Sequence, residues 1–179
     1  MIHIYMKQNY IGNKNTYINM FGGTLKNAAI LLFVKGRVLM VQNKNGEWML
    51  PGGQIDKGET PWVAASREFR EETGQKLPDL RKEGNSFVPY DYTGKPNNPP
   101  HTRIYYGETQ IDLAEFDIDD TKTNETIDMD YIPLTSILDK TITVPRYVFS
   151  SLLQMTQSDD QNLQSFLQRQ WKINKDNRK

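Results

Sequence analysis

Gly53-Gln-Ile-Asp-Lys-Gly-Glu59-Thr60-Pro61-Trp-Val-Ala-Ala-Ser-Arg67-Glu68-Phe69-Arg70-Glu71-Glu72-Thr73-Gly74 is the stretch on which the reading of this chain turns. The Thr60 hydroxyl can cap a helix, and Pro61 at the first helical position gives up an N–H that would have had no partner. Gly74 supplies the stop. On a 3.6-residue helix Glu71 and Glu72 fall about 60° and 40° to either side of Glu68, so the three carboxylates share one face. Ala64 and Ala65 lie a turn earlier on that face, and their small side chains are expected to leave room for a bulky group to approach. Trp62, Phe69 and Thr73 point roughly 100–140° away, where they can pack.

In water each like-charge pair on such a face costs about 0.2–0.5 kcal/mol, and a solvated acidic helix needs no ion. Held in a cleft at about 5 Å with an effective dielectric near 20, each pair costs roughly 3 kcal/mol, and a divalent cation is the natural compensation. Mg²⁺ takes hard oxygen ligands and is commonly shared between carboxylates and substrate phosphates. The Pro51-Gly52-Gly53 loop can bring a backbone carbonyl to the same place, because glycine lets the chain approach without a Cβ.

Working outward, Ala28–Val34 is an apolar run that meets Lys35-Gly36, and Arg37–Gln42 resumes it, which predicts a central hairpin of buried strands. Asn43–Gly46 reads as a turn and Trp48–Leu50 as a short strand. Downstream, Ser86–Tyr92 and Thr102–Leu113 read as strands around the breaker-rich Gly94–Pro100, Glu115–Asn124 is acidic and irregular, and Tyr131–Leu134 is a short strand or helix entry. Pro145–Met155 has helical apolar spacing, and Leu163, Phe166, Leu167 and Trp171 mark a terminal amphipathic helix before the basic Lys172–Lys179. Strands interleaved with helices imply an α/β layer structure. The expected organisation is an N-terminal arm over 1–24, with one strand near Ile2–Tyr5, a domain over 25–157, and a helix and tail over 158–179 packed on that domain.

The 179 residues fit one domain, and 22 Lys plus Arg against 22 Asp plus Glu leave no global field to draw nucleic acid or an acidic membrane. With no cysteine, thiolate metal sites and a cysteine nucleophile are excluded. His3 and His101 are too few and too far apart for a histidine metal site, and no phosphate-cradling Gly-x-x-x-x-Gly-Lys motif occurs. The start lacks a basic region followed by a sustained apolar stretch, and no segment is long and apolar enough to span a membrane, so a cytoplasmic location is expected.

Gly53, Glu59 and Arg67-Glu68-Phe69-Arg70-Glu71-Glu72-Thr73-Gly74 at these spacings resemble the Nudix box. Gln75 stands where the family usually carries an apolar residue, and Leu77 is expected to take over that packing. Trp48–Gly53 looks like the family's lead-in, and Glu125 through Tyr131-Ile-Pro-Leu134 looks like its segment of a further acid followed by a short apolar stretch. The resemblance implies an α/β/α sandwich with a mixed β-sheet, a Mg²⁺ or Mn²⁺ requirement, and hydrolysis of a nucleoside diphosphate linked to another group.

Carried over position by position, Glu68, Glu71 and Glu72 match the family's metal-binding carboxylates, with the Gly52 carbonyl as an additional ligand. Arg67 and Glu59 match a pair that holds loop against helix beside the chemistry. Glu68 or Glu125 would serve as the base for water. Tyr90 and Tyr92, in the second decade after the box, and Arg103 are the candidate substrate contacts. The expected partner is a small nucleotide derivative such as ADP-ribose or a dinucleoside polyphosphate. Nucleoside triphosphates and capped RNA stand behind it, and a non-catalytic nucleotide sensor is the reading from another class. No membrane partner is expected, and dimerisation in many relatives makes a homodimer one state to test.

Overall fold

The structure, a computed structural model, describes residues 25–78, 80, 86–87, 101–110, 125–157 and 161–176. The expected arm over 1–24, the strand continuation through Tyr92 and the acidic stretch 115–124 lie outside the described residues. The expected hairpin is present as β1 (Leu25–Val34) and β2 (Arg37–Asn43), turning through Lys35 and Gly36, both at positive φ. Then come β3 (Trp48–Met49), β4 (Gly52–Gln54), α1 (Pro61–Thr73), β5 (Ser86–Phe87), β6 (His101–Thr109), β7 (Thr126–Pro133), α2 (Leu134–Leu138), α3 (Arg146–Gln157) and α4 (Gln161–Asp176).

The strands form one mixed sheet in the order β3-β2-β1-β6-β5, with β4 also on β1 and β7 also on β2. Both faces of β1 are buried, which is why its sequence is a continuous apolar run. Ala29, Leu31 and Phe33 pack with α2, α3 and α4 on one face, while Ala28, Ile30, Leu32 and Val34 pack with α1 on the other. Helices on both sides of a mixed sheet make the α/β/α sandwich expected from the sequence.

The hairpin is narrower than its apolar content suggests. β1 and β2 are paired only at Phe33↔Val38 and Val34↔Arg37. Beyond that the strands part: β3 takes β2 at Val41 and Gln42, and β4 takes β1 at Asn27–Ala29. The turn joining them, Leu50-Pro51, sits in the split and is held by Ile30 N–H donating to the Pro51 carbonyl at 2.9 Å.

Two expectations are corrected. Ala64 and Ala65 are fully buried against the sheet; their small size serves close approach of helix to strand and opens no path for a ligand. Trp171 is 40% exposed, whereas Gln170 and Asn174 are buried with Phe166 and Leu167. The stripe that faces the core is therefore one residue out of phase with Trp171, because Gln170 donates to Glu108 at the end of β6 and the α4 backbone lies against Gly36. A Cβ on Gly36 would come within 2.6 Å of Asn174 N.

Candidate active site

The helix that carries the acids is fixed locally at both ends. Thr60 Oγ1 accepts from Val63 N–H at 3.2 Å, and Gly74, at φ 67°, donates its N–H to the Arg70 carbonyl. Phe69 and Thr73 are buried against the sheet and Leu77 packs on the same cluster, so the exit past Gln75 is held as expected. This leaves Arg67, Glu68, Glu71 and Glu72 along one flank of α1, beside the β4 loop.

Arg67 organises that flank. Its Nε and Nη2 grip Glu59 at 2.9 and 3.0 Å, Nη1 donates to Glu68 at 2.8 Å and Glu71 at 2.9 Å, and Nη2 also reaches the Gln54 carbonyl at 3.0 Å. Asp56 lies 3.7 Å away, and its N–H donates to Glu59. The grip of Arg67 holds the Glu59 carboxyl below its usual range, and the same bonds push the guanidinium further above its own. One cation shared among four carboxylates leaves an excess of negative charge even before Glu72 is counted.

Glu72 occupies the most enclosed position, accepting from Gly52 N–H at 2.8 Å. Burial pushes its carboxyl up to about 8 against the donation from Gly52, and the negative charges of Glu68, Glu125 and Glu71 push the same way. Glu68 is also raised, by burial first, with the adjacent Arg67 opposing. Gly53 supplies room for it: a Cβ there would come within 2.5 Å of the Glu68 carboxyl. Gly52 likewise runs against β1, where a Cβ would meet the Ala28 carbonyl at 2.4 Å.

The structure brings Gly52, Glu68, Glu71, Glu72, Arg67 and Glu59 together, and Glu125, exposed just before β7, is close enough for its charge to act on Glu72. Arg103 stands apart. It is buried on β6 and donates to Ser86 Oγ at 2.8 Å; burial lowers its affinity for a proton. Its register neighbour on β1 is Ala28, whose neighbour on β4 is Gly53. Arg103 thus lies on the α1 face of the sheet, two strand positions across from Gly53. Tyr90 and Tyr92 lie outside the described residues. Sequence reasoning missed Asp56 and the Gln54 carbonyl as partners of Arg67, although both fall inside the 53–74 stretch.

For a divalent cation the donor chemistry is suitable, since carboxylates and a backbone carbonyl are all hard oxygen ligands. Among the described residues no three acidic or imidazole side chains converge on one point. Glu68 and Glu71 are turned onto Arg67 and Glu72 onto Gly52, so these carboxylates would have to reorient to coordinate an ion together. The half-buried, mutually repelling carboxylates are the observation that favours such a charge.

A family model described as NUDIX domain matches residues 24–153. The chain belongs to the Nudix family. An RNA pyrophosphohydrolase of Brucella anthropi is 42% identical to it over 69 residues, which are 35% of this chain and 36% of that protein. The chain's match thus spans about a third of that relative. Among solved structures, a bifunctional NMN adenylyltransferase/ADP ribose pyrophosphatase from Francisella tularensis superposes with a TM-score of 0.56 at 21% identity, over 74% of this chain and 40% of that one. The NUDIX domain of Shewanella oneidensis NrtR, complexed with ADP ribose, gives 0.52 at 19% identity, over 73% of this chain and 84% of that one. At such identities the structural likeness establishes the Nudix fold. No helix among the described residues is long and apolar enough to cross a membrane.

Proposed function

We propose that this Nudix chain hydrolyses a phosphoanhydride bond in a nucleoside diphosphate linked to another group, with residues 25–157 as the catalytic unit and 158–179 packed upon it. The observation that carries the reading is the enclosed Glu72 carboxylate on the Gly52 amide, crowded by Glu68 and Glu71. Glu68, Glu71, Glu72 and the Gly52 carbonyl would hold Mg²⁺ or Mn²⁺. Bound there, the ion would neutralise phosphate charge and stabilise the developing leaving-group oxygen.

The chain's own residues do the rest. Arg67 holds Glu68 and Glu71 at a fixed spacing and ties α1 to the Gln54–Glu59 loop, a positioning role. Water attack on phosphorus needs a proton acceptor, and Glu68, whose burial makes it more basic than a surface carboxylate, is the first choice. Glu125 at the mouth of β7 is the second. Arg103, with Tyr90 and Tyr92, is assigned to the distal part of the substrate.

A second substrate reading, the 5′ end of an RNA, is favoured by the 42% identity to an RNA pyrophosphohydrolase. Both are tested by one panel: ADP-ribose, diadenosine polyphosphates, nucleoside triphosphates, 5′-triphosphorylated RNA and capped RNA, each with Mg²⁺, with Mn²⁺ and with EDTA. Metal-dependent turnover of one class, lost in Glu72→Gln, is the expected result. Binding of a nucleotide without turnover of any member would instead point to a sensor.

A further inference from the structure

We propose that the outward strip of α4 around Trp171 binds single-stranded RNA a few nucleotides beyond a 5′ end held at the acidic helix, an inference that rests on the RNA reading above. α4 turns Phe166, Leu167, Gln170 and Asn174 into the fold. On its other side Gln168, Trp171, Lys172 and Lys175 are exposed. At 100° per residue Lys175, Gln168 and Lys172 lie about 40°, 60° and 100° from Trp171, all in the same direction, so the four form one continuous arc. Trp171, 40% exposed, offers its ring at one edge of that arc and the two ammonium groups lie beside it. Arg169, about 160° from Trp171 by the same geometry, is taken up by Glu108 instead. Asp176, the only acid in the α4 sequence, is its last residue and falls about 140° away.

Charge and shape select the occupant. The chain as a whole is neutral, with 22 basic and 22 acidic residues, so a local surplus decides where a polyanion settles. The α4 arc holds two positive charges and no negative one. A flat aromatic face stacks on any base while lysines meet the phosphates, which is how single strands are held without regard to sequence. An anionic membrane fits less well. A helix that lies on a bilayer keeps its apolar face for the lipid, whereas the apolar face of α4 is packed into the core and Trp171 is its one large exposed apolar side chain among the described residues. The fold also sets the reach. Gly52 pairs with Ala29, while Gly36, beyond the far end of β1, lies against the α4 backbone at Gln170 and Asn174. From Ala29 to Val34 is about 17 Å of strand, the length of about five stacked nucleotides at ~3.4 Å each. A trinucleotide held by its 5′ phosphates at the acids therefore stops short of Trp171, and a dodecanucleotide passes it.

The first test needs no catalysis: a 5′-hydroxyl oligoadenylate dodecamer carrying a 3′ fluorophore is titrated with the full chain in EDTA, and anisotropy is read over a range of salt. Trp171→Ala should bind about tenfold more weakly at every salt concentration, and Trp171→Phe, which still stacks, should stay close to wild type. Lys172→Gln with Lys175→Gln should flatten the slope of log affinity against log salt by about 1.4, two phosphate contacts at ~0.7 each, a slope that Trp171→Ala leaves unchanged. In turnover with Mg²⁺, Trp171→Ala should raise KM about tenfold for the 5′-triphosphorylated dodecamer, with kcat unchanged, and leave the 5′-triphosphorylated trimer unaffected. Equal dodecamer binding by wild type and Trp171→Ala overturns the proposal. So does capture of phosphatidylserine vesicles, lost in Trp171→Ala, by a chain that does not bind the dodecamer. If no RNA end is hydrolysed and the dodecamer still binds through Trp171, the RNA-hydrolase reading fails by itself and the surface stands. If RNA ends are hydrolysed with the same KM in Trp171→Ala, the surface fails and that reading stands.

Discussion

Replacing Glu72 by glutamine should stabilise the metal-free protein, an advantage that bound metal should largely cancel. The carboxyl is pushed from 4.5 to about 8 in the fold, so between those values the unfolded chain releases a proton that the folded chain retains. For a carboxyl raised in this way, wild-type stability carries no penalty below about pH 4.5, falls as pH rises towards 8, and is lowest and level above that. The gap corresponds to a ceiling of about 5 kcal/mol, taken at 1.36 kcal/mol per pH unit. Part of that will be relieved by water reaching a side chain that is only partly enclosed, so about 2–3 kcal/mol is expected at pH 8. Glutamine cannot ionise, and its Oε1 can still accept the Gly52 N–H. In EDTA, urea unfolding at pH 8 should therefore find Glu72→Gln more stable by that amount, and at pH 5 nearly equal to wild type. With Mn²⁺ at a hundred times its dissociation constant the wild type gains about 2.7 kcal/mol, most of which the variant forgoes. A variant less stable than wild type in EDTA at pH 8 would refute the argument, because it would mean that the Glu72 charge is compensated within the fold.

Other substitutions separate fold from chemistry. Gly53→Ala meets only the mobile end of Glu68, so its melting temperature should stay within a few degrees of wild type while kcat falls by about tenfold or more, the equivalent of about 1.4 kcal/mol. Gly52→Ala meets the Ala28 backbone and Ala29 instead, and urea unfolding should show a loss of about 1–3 kcal/mol. Arg67→Lys keeps the charge but cannot bond Glu59, Glu68 and Glu71 at once; hydrolysis of the preferred substrate should fall by about tenfold or more, with only about 1 kcal/mol lost in stability because the cluster is partly solvated. Gly36→Ala strains a left-handed turn, at about 1–2 kcal/mol, and pushes on the α4 backbone. Limited proteolysis should then cut between α3 and α4 faster than in wild type, and undiminished protection would show that α4 docks independently of the turn.

What was legible in the sequence was what is set over a few residues. Thr60, Pro61 and Gly74 mark α1 because capping is a contact between near neighbours, and the run Ala28–Val34 announced a strand buried on both faces. The grouping of Glu68, Glu71 and Glu72 also followed from spacing along a single helix, whereas the pairing of Arg67 with Glu59 came from the resemblance to the Nudix box. Helical angles, however, give only the arc between residues and not which arc meets the sheet. Ala64 and Ala65 were therefore placed beside a ligand when they lie beneath the helix, and Trp171 was placed inward when its neighbour Gln170 is the buried one.

The least legible feature is also the one that builds the site. Nothing in the apolar pattern says that β1 pairs in parallel with β6, more than seventy residues away, or that the β1–β2 hairpin opens after two residue pairs to admit β3 and β4. Yet that opening puts Gly52 and Gly53 against β1 with no room for a side chain, and this brings the Gly52 amide to Glu72 and lets Glu68 lie over Gly53. The glycines are thus needed twice, once for the approach of strand to strand and once for the approach of helix to loop. A box read as a string of ligands accounts for the second requirement alone. The contrast between Gly52→Ala, which should lose stability first, and Gly53→Ala, which should lose turnover first, follows from assigning one requirement to each residue, and a reversal of that order would show the assignment to be wrong.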